Sequence, residues 1–256
     1  MKILLLLLSL FLIPETITSD QPVNTTDDER IQQLVKYFDA KGVDIKPLLN
    51  DERFELVERI TKKFTRSAER RIENLDDYKK VIGYDAKKRA IDTFYAQYSA
   101  ELQAAEKEYG IPKEVIIGII AVESDFGKNK GRYNPFNVYV SMYVEDHRAE
   151  WALAQLEELL EFVEKKNMDV LSMKSSYAGA MSYAQFIPYS LNRWWVGDQL
   201  YHMPDNINSV ANYLAHFKNK TGSLETAVLR YNPSSLYVGA VLALADDAKS
   251  VTNSAP

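Results

Sequence analysis

Glu123 stands near the end of the stretch PKEVIIGIIAVESDFG, and its relation to the isoleucines before it invites a chemical reading. Ile116, Ile119 and Ile120 precede it by seven, four and three residues, so the four side chains share one face of an α-helix. An apolar face excludes an unpaired charge, because a buried ion must be paired or neutralised. A glutamate there needs a partner, a proton or an opening onto a cleft. A hydrophobic surround raises a carboxyl group above its usual value of about 4.3, which keeps it protonated and able to act as a general acid. The competing reading makes Glu123 a boundary residue facing solvent, with Gly127 as the helix stop.

Other chemistries have little to work with. The 256 residues include no cysteine, which removes disulfides, thiolate catalysis, cysteine zinc sites and lipid attachment through an N-terminal Cys. There is no G-x-S-x-G elbow, no phosphate-cradling glycine loop, no dinucleotide fingerprint and no H-E-x-x-H. His147, His202 and His216 are too dispersed to suggest a metal site, and each reads as a surface or structural residue. What remains is carboxylate, hydroxyl and amide chemistry among 16 tyrosines, 10 phenylalanines and three tryptophans, the equipment of sugar-handling proteins. A net charge of −5 gives no footprint for nucleic acid, and the basic run KKFTRSAERR (62–71) reads as a solvated helix face.

The elements that must position these groups are helical almost throughout. Apolar residues recur at helical spacing in ERIQQLVKYFDAKG, in DERFELVERITKKF with Phe54, Val57, Ile60 and Phe64 near one face, and in AKKRAIDTFYAQYSAELQAAEKEYG. Further helices are expected at AEWALAQLEELLEFVEKKN, INSVANYLAHFKNK, SLETAVLRY and SSLYVGAVLALADDAK. NVYVSMYV is β-branched and aromatic, and its type is ambiguous between helix and strand. The expected fold class is all-α, with at most a minor hairpin. Residues 20–28 read as a linker, 75–88 as a weak boundary, and KSVTNSAP as a frayed tail.

The N-terminus, MKILLLLLSLFLIPETITSD, places one Lys before an apolar run from Ile3 to Ile13, the layout of a secretory signal ending near residue 19. The run is short for a span, which needs roughly 20 residues, and an uncleaved anchor is the alternative. With 46% hydrophobic residues, an exported chain without disulfides still has material for a core.

Four segments in order carry a more specific message: YGIPKEVIIGIIAVESDFGKNKGRYNPFNVYVSM, SSYAGAMSYAQFIPYSL, INSVANYL and RYNPSSLYVGAVL. Together they resemble the B-type lytic murein transglycosylases over about residues 75–247. The resemblance implies a lysozyme-like helical core at 86–248 behind an N-terminal helical region at 20–85, with a flexible tail at 249–256. It implies peptidoglycan glycan strands as partner, a periplasmic or cell-envelope location, and no cofactor. Glu123 would serve as acid and then base, closing a 1,6-anhydro ring instead of admitting water. Asp125, two residues on, faces another side of the helix and is a poor partner for it.

The same resemblance makes Ser176 the hydroxyl that bonds the catalytic carboxylate. Gln185, Tyr231, Asn232 and Tyr237 would line the cleft, and Gly179 and Ala180 would let backbone approach the sugar or the Glu123 helix. The family's Arg pair reads His147-Arg148 here, so Arg148 alone carries over as a substrate contact, and GAMG reads GAMS. In place of the family's calcium loop stands NRWWVGDQLYHMPDN, with Asp198 and Asp205 alone, so no metal is expected. A lysozyme-type hydrolase and a non-catalytic glycan-binding protein of this fold are the competing readings.

Overall fold

The computed structural model describes residues 26–65 and 72–253. The proposed signal at 1–19 and residues 66–71 of the basic run lie outside them. Twelve α-helices follow one another among the described residues: α1 (Asp27–Ala40), α2 (Lys46–Leu49), α3 (Ile60–Thr65), α4 (Leu75–Ile82), α5 (Tyr84–Tyr109), α6 (Lys113–Ser124), α7 (Pro135–Val144), α8 (Ala149–Lys166), α9 (Pro188–Trp194), α10 (Met203–Thr221), α11 (Leu224–Tyr231) and α12 (Ser235–Thr252). The β pairing there is confined to isolated antiparallel bridges, Tyr133 with Ser175, Ser175 with Met181 and Met181 with Phe186.

Helix α6 is the axis of the fold. Every residue from Glu114 to Ser124 is buried, so the helix is enclosed all round, not along one stripe as its spacing suggested. Each fully buried isoleucine contributes about 2 kcal/mol, and Ile116, Ile117, Ile119 and Ile120 are all sealed from solvent. Helix α12 is its main neighbour, with α5 and α10 also packed against it. Gly118 permits the approach of α12: a Cβ there would lie 2.6 Å from the Val241 carbonyl oxygen. At the other end of the pair, Thr252 Oγ1 donates to Glu114 Oε1 at 2.6 Å.

The structure resolves one ambiguous segment and corrects one expected helix. NVYVSMYV is helical, as most of α7: Asn134 Oδ1 accepts the Asn137 N–H and Pro135 occupies the first turn, so the cap starts a helix that burial then sustains. In DERFELVERITKKF, residues 51–59 are not helical, and the helix begins only at Ile60. Their polar groups are taken elsewhere. Asp51 binds the Arg53 amide and guanidinium, Val57 N–H donates to Ser141 Oγ, and Ile60 and Thr61 N–H donate to the Glu145 carboxylate. Residues 75–88 contain α4 and the start of α5, joined at Gly83, and Leu75 packs on Gly239 of α12. Helix α12 runs into the segment read as a frayed tail and reaches the buried Thr252.

Candidate active site

Glu123 lies in the last turn of α6 and is 4% exposed. Tyr237, from the first turn of α12, donates its hydroxyl proton to Glu123 Oε1 at 2.6 Å. Burial holds the Tyr237 hydroxyl far above the usual tyrosine range, and the Glu123 charge adds to this, so it stays protonated and donates across the ordinary pH range. Tyr231, at the end of α11, has an enclosed hydroxyl raised in the same way, first by burial and then by Glu123. It donates to the Ala184 carbonyl at 2.6 Å, tying α11 to the loop that carries Gln185. Helices α6, α11 and α12 and this loop therefore meet at one carboxyl group.

The chain turns sharply after that carboxyl group. Asp125, Phe126 and Gly127 all have positive φ, at 51°, 58° and 83°. Ser124 supports the turn from inside: its hydroxyl donates to the Ile120 carbonyl and accepts the Gly127 N–H. Asp125 is not a second acid for Glu123, because its carboxylate faces Lys87 and Lys128.

The loop at 174–187 is braced by its bridges and by Tyr139 of α7, whose hydroxyl donates to the Gly179 carbonyl at 3.0 Å. Gly179 was expected to admit sugar or the Glu123 helix. Instead its α-carbon faces the Tyr139 ring, where a Cβ would meet Cζ at 2.2 Å, and its φ of +80° suits glycine. Ser176 lies in the same loop, where its Oγ accepts the amides of Ala178 and Ala180 at 3.3 and 3.2 Å, which leaves its hydroxyl proton able to donate.

Gln185 and Asn232 share an unusual feature. Gln185, at φ 52°, donates through Nε2 to the Ser182 carbonyl at 2.7 Å, while its Oε1 is buried without a protein partner. Asn232 Oδ1, next to Tyr231, is buried and unpartnered as well. A buried acceptor left unsatisfied costs about 1–3 kcal/mol, a cost that an N–H or O–H donor from outside the chain would relieve at either oxygen.

Arg148 stands apart. It sits at φ 53° ahead of α8 with its guanidinium 4.4 Å from the Trp151 ring centroid, and its charge lies beside Tyr139. Its half-buried position lowers its pKa through desolvation. The geometry attaches it to the support of the loop at 174–187. Two supporting residues escaped the sequence reading, Tyr139 and Asn206. Asn206 accepts the Ala184 N–H at 2.9 Å and donates to the Leu200 and His202 carbonyls, stapling the same loop to α10. Asn206 sits one residue before INSVANYL, but nothing in its spacing marks it as buried.

Asp198 and Asp205, the carboxylates of the segment that replaces a calcium loop, are engaged. Asp205 accepts the amides of Asp198 and Gln199 and faces His202 Nδ1, while Asp198 pairs with Lys166. Among the described residues no group of three or more His, Asp or Glu side chains could hold a metal ion.

The all-helical architecture belongs to the lysozyme-like class of fold. Residues 26–227 match the family described as Transglycosylase SLT domain, and the chain belongs to that family. Membrane-bound lytic murein transglycosylase B of Escherichia coli (strain K12) is 37% identical over 127 residues, covering 47% of this chain and 35% of that protein. The matched segment thus spans about a third of that relative's length. Among solved structures, soluble lytic transglycosylase SltB1 of Pseudomonas aeruginosa superposes with a TM-score of 0.79 at 24% identity, over 88% of this chain and 100% of that one. Slt35 of Escherichia coli, in complex with bulgecin A, gives 0.76 at 21% over 88% and 94%. SltB3 of Pseudomonas aeruginosa, in complex with NAG-anhNAM-pentapeptide, gives 0.76 at 19% over 88% and 80%.

Proposed function

We propose that the chain is a lytic transglycosylase that cleaves the β-1,4 bond between N-acetylmuramic acid and N-acetylglucosamine in peptidoglycan, leaving a 1,6-anhydromuramoyl end. The observation that carries the reading is the enclosed Glu123 held through one oxygen by a hydroxyl that stays protonated. Tyr237 donates to Oε1, which fixes the orientation of the carboxyl group that carries the acid proton. Glu123 gives that proton to the glycosidic oxygen as the C1–O bond breaks, with the substrate's own N-acetyl group stabilising C1. The carboxylate then takes the proton of the C6 hydroxyl of the same residue, whose oxygen bonds to C1. Glu123 ends protonated, no water is consumed, and no second carboxylate is needed.

Gln185 Oε1 and Asn232 Oδ1 serve as acceptors for acetamido N–H or hydroxyl groups, and the half-buried Tyr231 supplies an aromatic ring next to Asn232. Ser176 and Arg148 keep this surface in place from behind. The anhydro ligand of SltB3 and the murein substrate named for the Escherichia coli relative support the same substrate class. Such a substrate puts the protein in the cell envelope, in keeping with the exported reading of residues 1–19. Among the described residues no helix is long and apolar enough to cross a membrane. The test is Glu123→Gln, a near-isosteric change. Release of soluble muropeptides from purified sacculi should fall at least about a hundredfold with the melting temperature preserved. Retained activity would remove Glu123 from the chemistry and favour a binding role.

A further inference from the structure

Lys87 projects from the first turns of α5 into the interior and is only 6% exposed. An ammonium that far from water needs polar or anionic neighbours in place of its hydration. Asp125 faces it, with Oδ1 3.5 Å from Lys87 Nζ, and Asp125 is itself 7% exposed. Lys128 approaches Asp125 Oδ2 at 3.6 Å from the solvent side.

The place of this pair matters more than its energy. Asp125 follows Glu123 by two residues and ends α6 in the left-handed region, its N–H still bonded to the Ala121 carbonyl at 3.1 Å. Phe126 continues in the same strained region. Two successive left-handed residues other than glycine persist only where their surroundings hold them. Ser124 grips the turn on one side, and Lys87 reaches it on the other from a different helix. Buried ion pairs often contribute no more stability than neutral packed groups of the same volume, so this one is better explained by the geometry it imposes.

We propose that Lys87 is a positioning residue: through Asp125 it fixes the turn that ends α6 and so holds Glu123 on the Tyr237 hydroxyl. Its effect on turnover rests on the lytic transglycosylase reading, whereas its effect on geometry does not. The test compares Lys87→Met, Lys87→Arg and the double variant Lys87→Met/Asp125→Asn on soluble glycan strands, with melting temperatures and a crystal structure of the double variant. Lys87→Met should melt lower, because Asp125 loses its buried counter-ion. The double variant should recover most of that loss, because neither buried charge remains.

Its kcat should nevertheless stay down at least about tenfold with KM unchanged, and its Tyr237 Oη to Glu123 Oε1 separation should open beyond hydrogen-bond range. Lys87→Arg should keep kcat within about threefold of the parent. A double variant with parental kcat and the short contact intact would overturn the proposal. If the parent itself released no product while the contact still opened in the double variant, the positioning role would stand and the catalytic reading would fall.

Discussion

Tyr237 donates to one oxygen of Glu123 and cannot lose its own proton under ordinary conditions, so it acts on the carboxyl group as a fixed dipole. A donated hydrogen bond favours the charged carboxylate, whereas enclosure by α6 favours the acid. Tyr237→Phe removes only the first influence. The alkaline limb of kcat/KM, where the acid form is lost, should therefore move to higher pH, and kcat should fall about tenfold or more through lost orientation. A profile that stays in place would show that the bond does not tune Glu123. The pairing of these two residues was partly legible in sequence: spacing marked Glu123, and the motif marked Tyr237 as a cleft residue. It did not say that the tyrosine hydroxyl would bond the carboxyl group directly, which depends on how α12 packs on α6. Gln185 and Asn232 were named as polar contacts, but only the fold shows that their acceptor oxygens are buried and lack protein partners.

At the level of elements, the α6–α12 contact determines where Glu123 and Tyr237 stand. Gly118→Ala places a methyl group against the Val241 carbonyl and should cost about 1–3 kcal/mol, read as a lower melting temperature. Thr252→Val tests the far end of the pair. Burial alone would raise the Glu114 carboxyl, but the Thr252 hydroxyl, its own backbone N–H and Lys113 together hold it below the usual value. A carboxyl depressed in the folded state stabilises the fold fully above its unfolded value, and that contribution is lost as pH falls through the folded value. The stability gap between the parent and Thr252→Val, from urea unfolding, should therefore be about 1–3 kcal/mol at pH 7 and shrink in acid below about pH 4. A gap that grows in acid would contradict this. Periodicity anticipated α1, α5, α6, α8 and α10–α12. It failed at residues 51–59, where the Val57 amide is drawn to the Ser141 hydroxyl of α7, and left α7 open because β-branched residues are compatible with a helix that is capped and enclosed. Neither outcome is local, so neither could be read from local spacing.

At the scale of the whole molecule, the two carboxylates of the segment standing in place of a calcium loop are both engaged within the chain. With Asp205 capping two amides and Asp198 paired with Lys166, a chelator should leave the melting temperature unchanged, and a large drop would contradict that accounting. The proposed cleavage rests on the enclosed Glu123 and the hydroxyl that holds it. Digestion of sacculi in ¹⁸O-labelled water tests this most directly, because a C6 hydroxyl closing on C1 brings in no oxygen from solvent. The account predicts unlabelled anhydromuramoyl ends at every new cut. Reducing ends that each carry one ¹⁸O atom would show that water, not the substrate's own hydroxyl, completes the reaction.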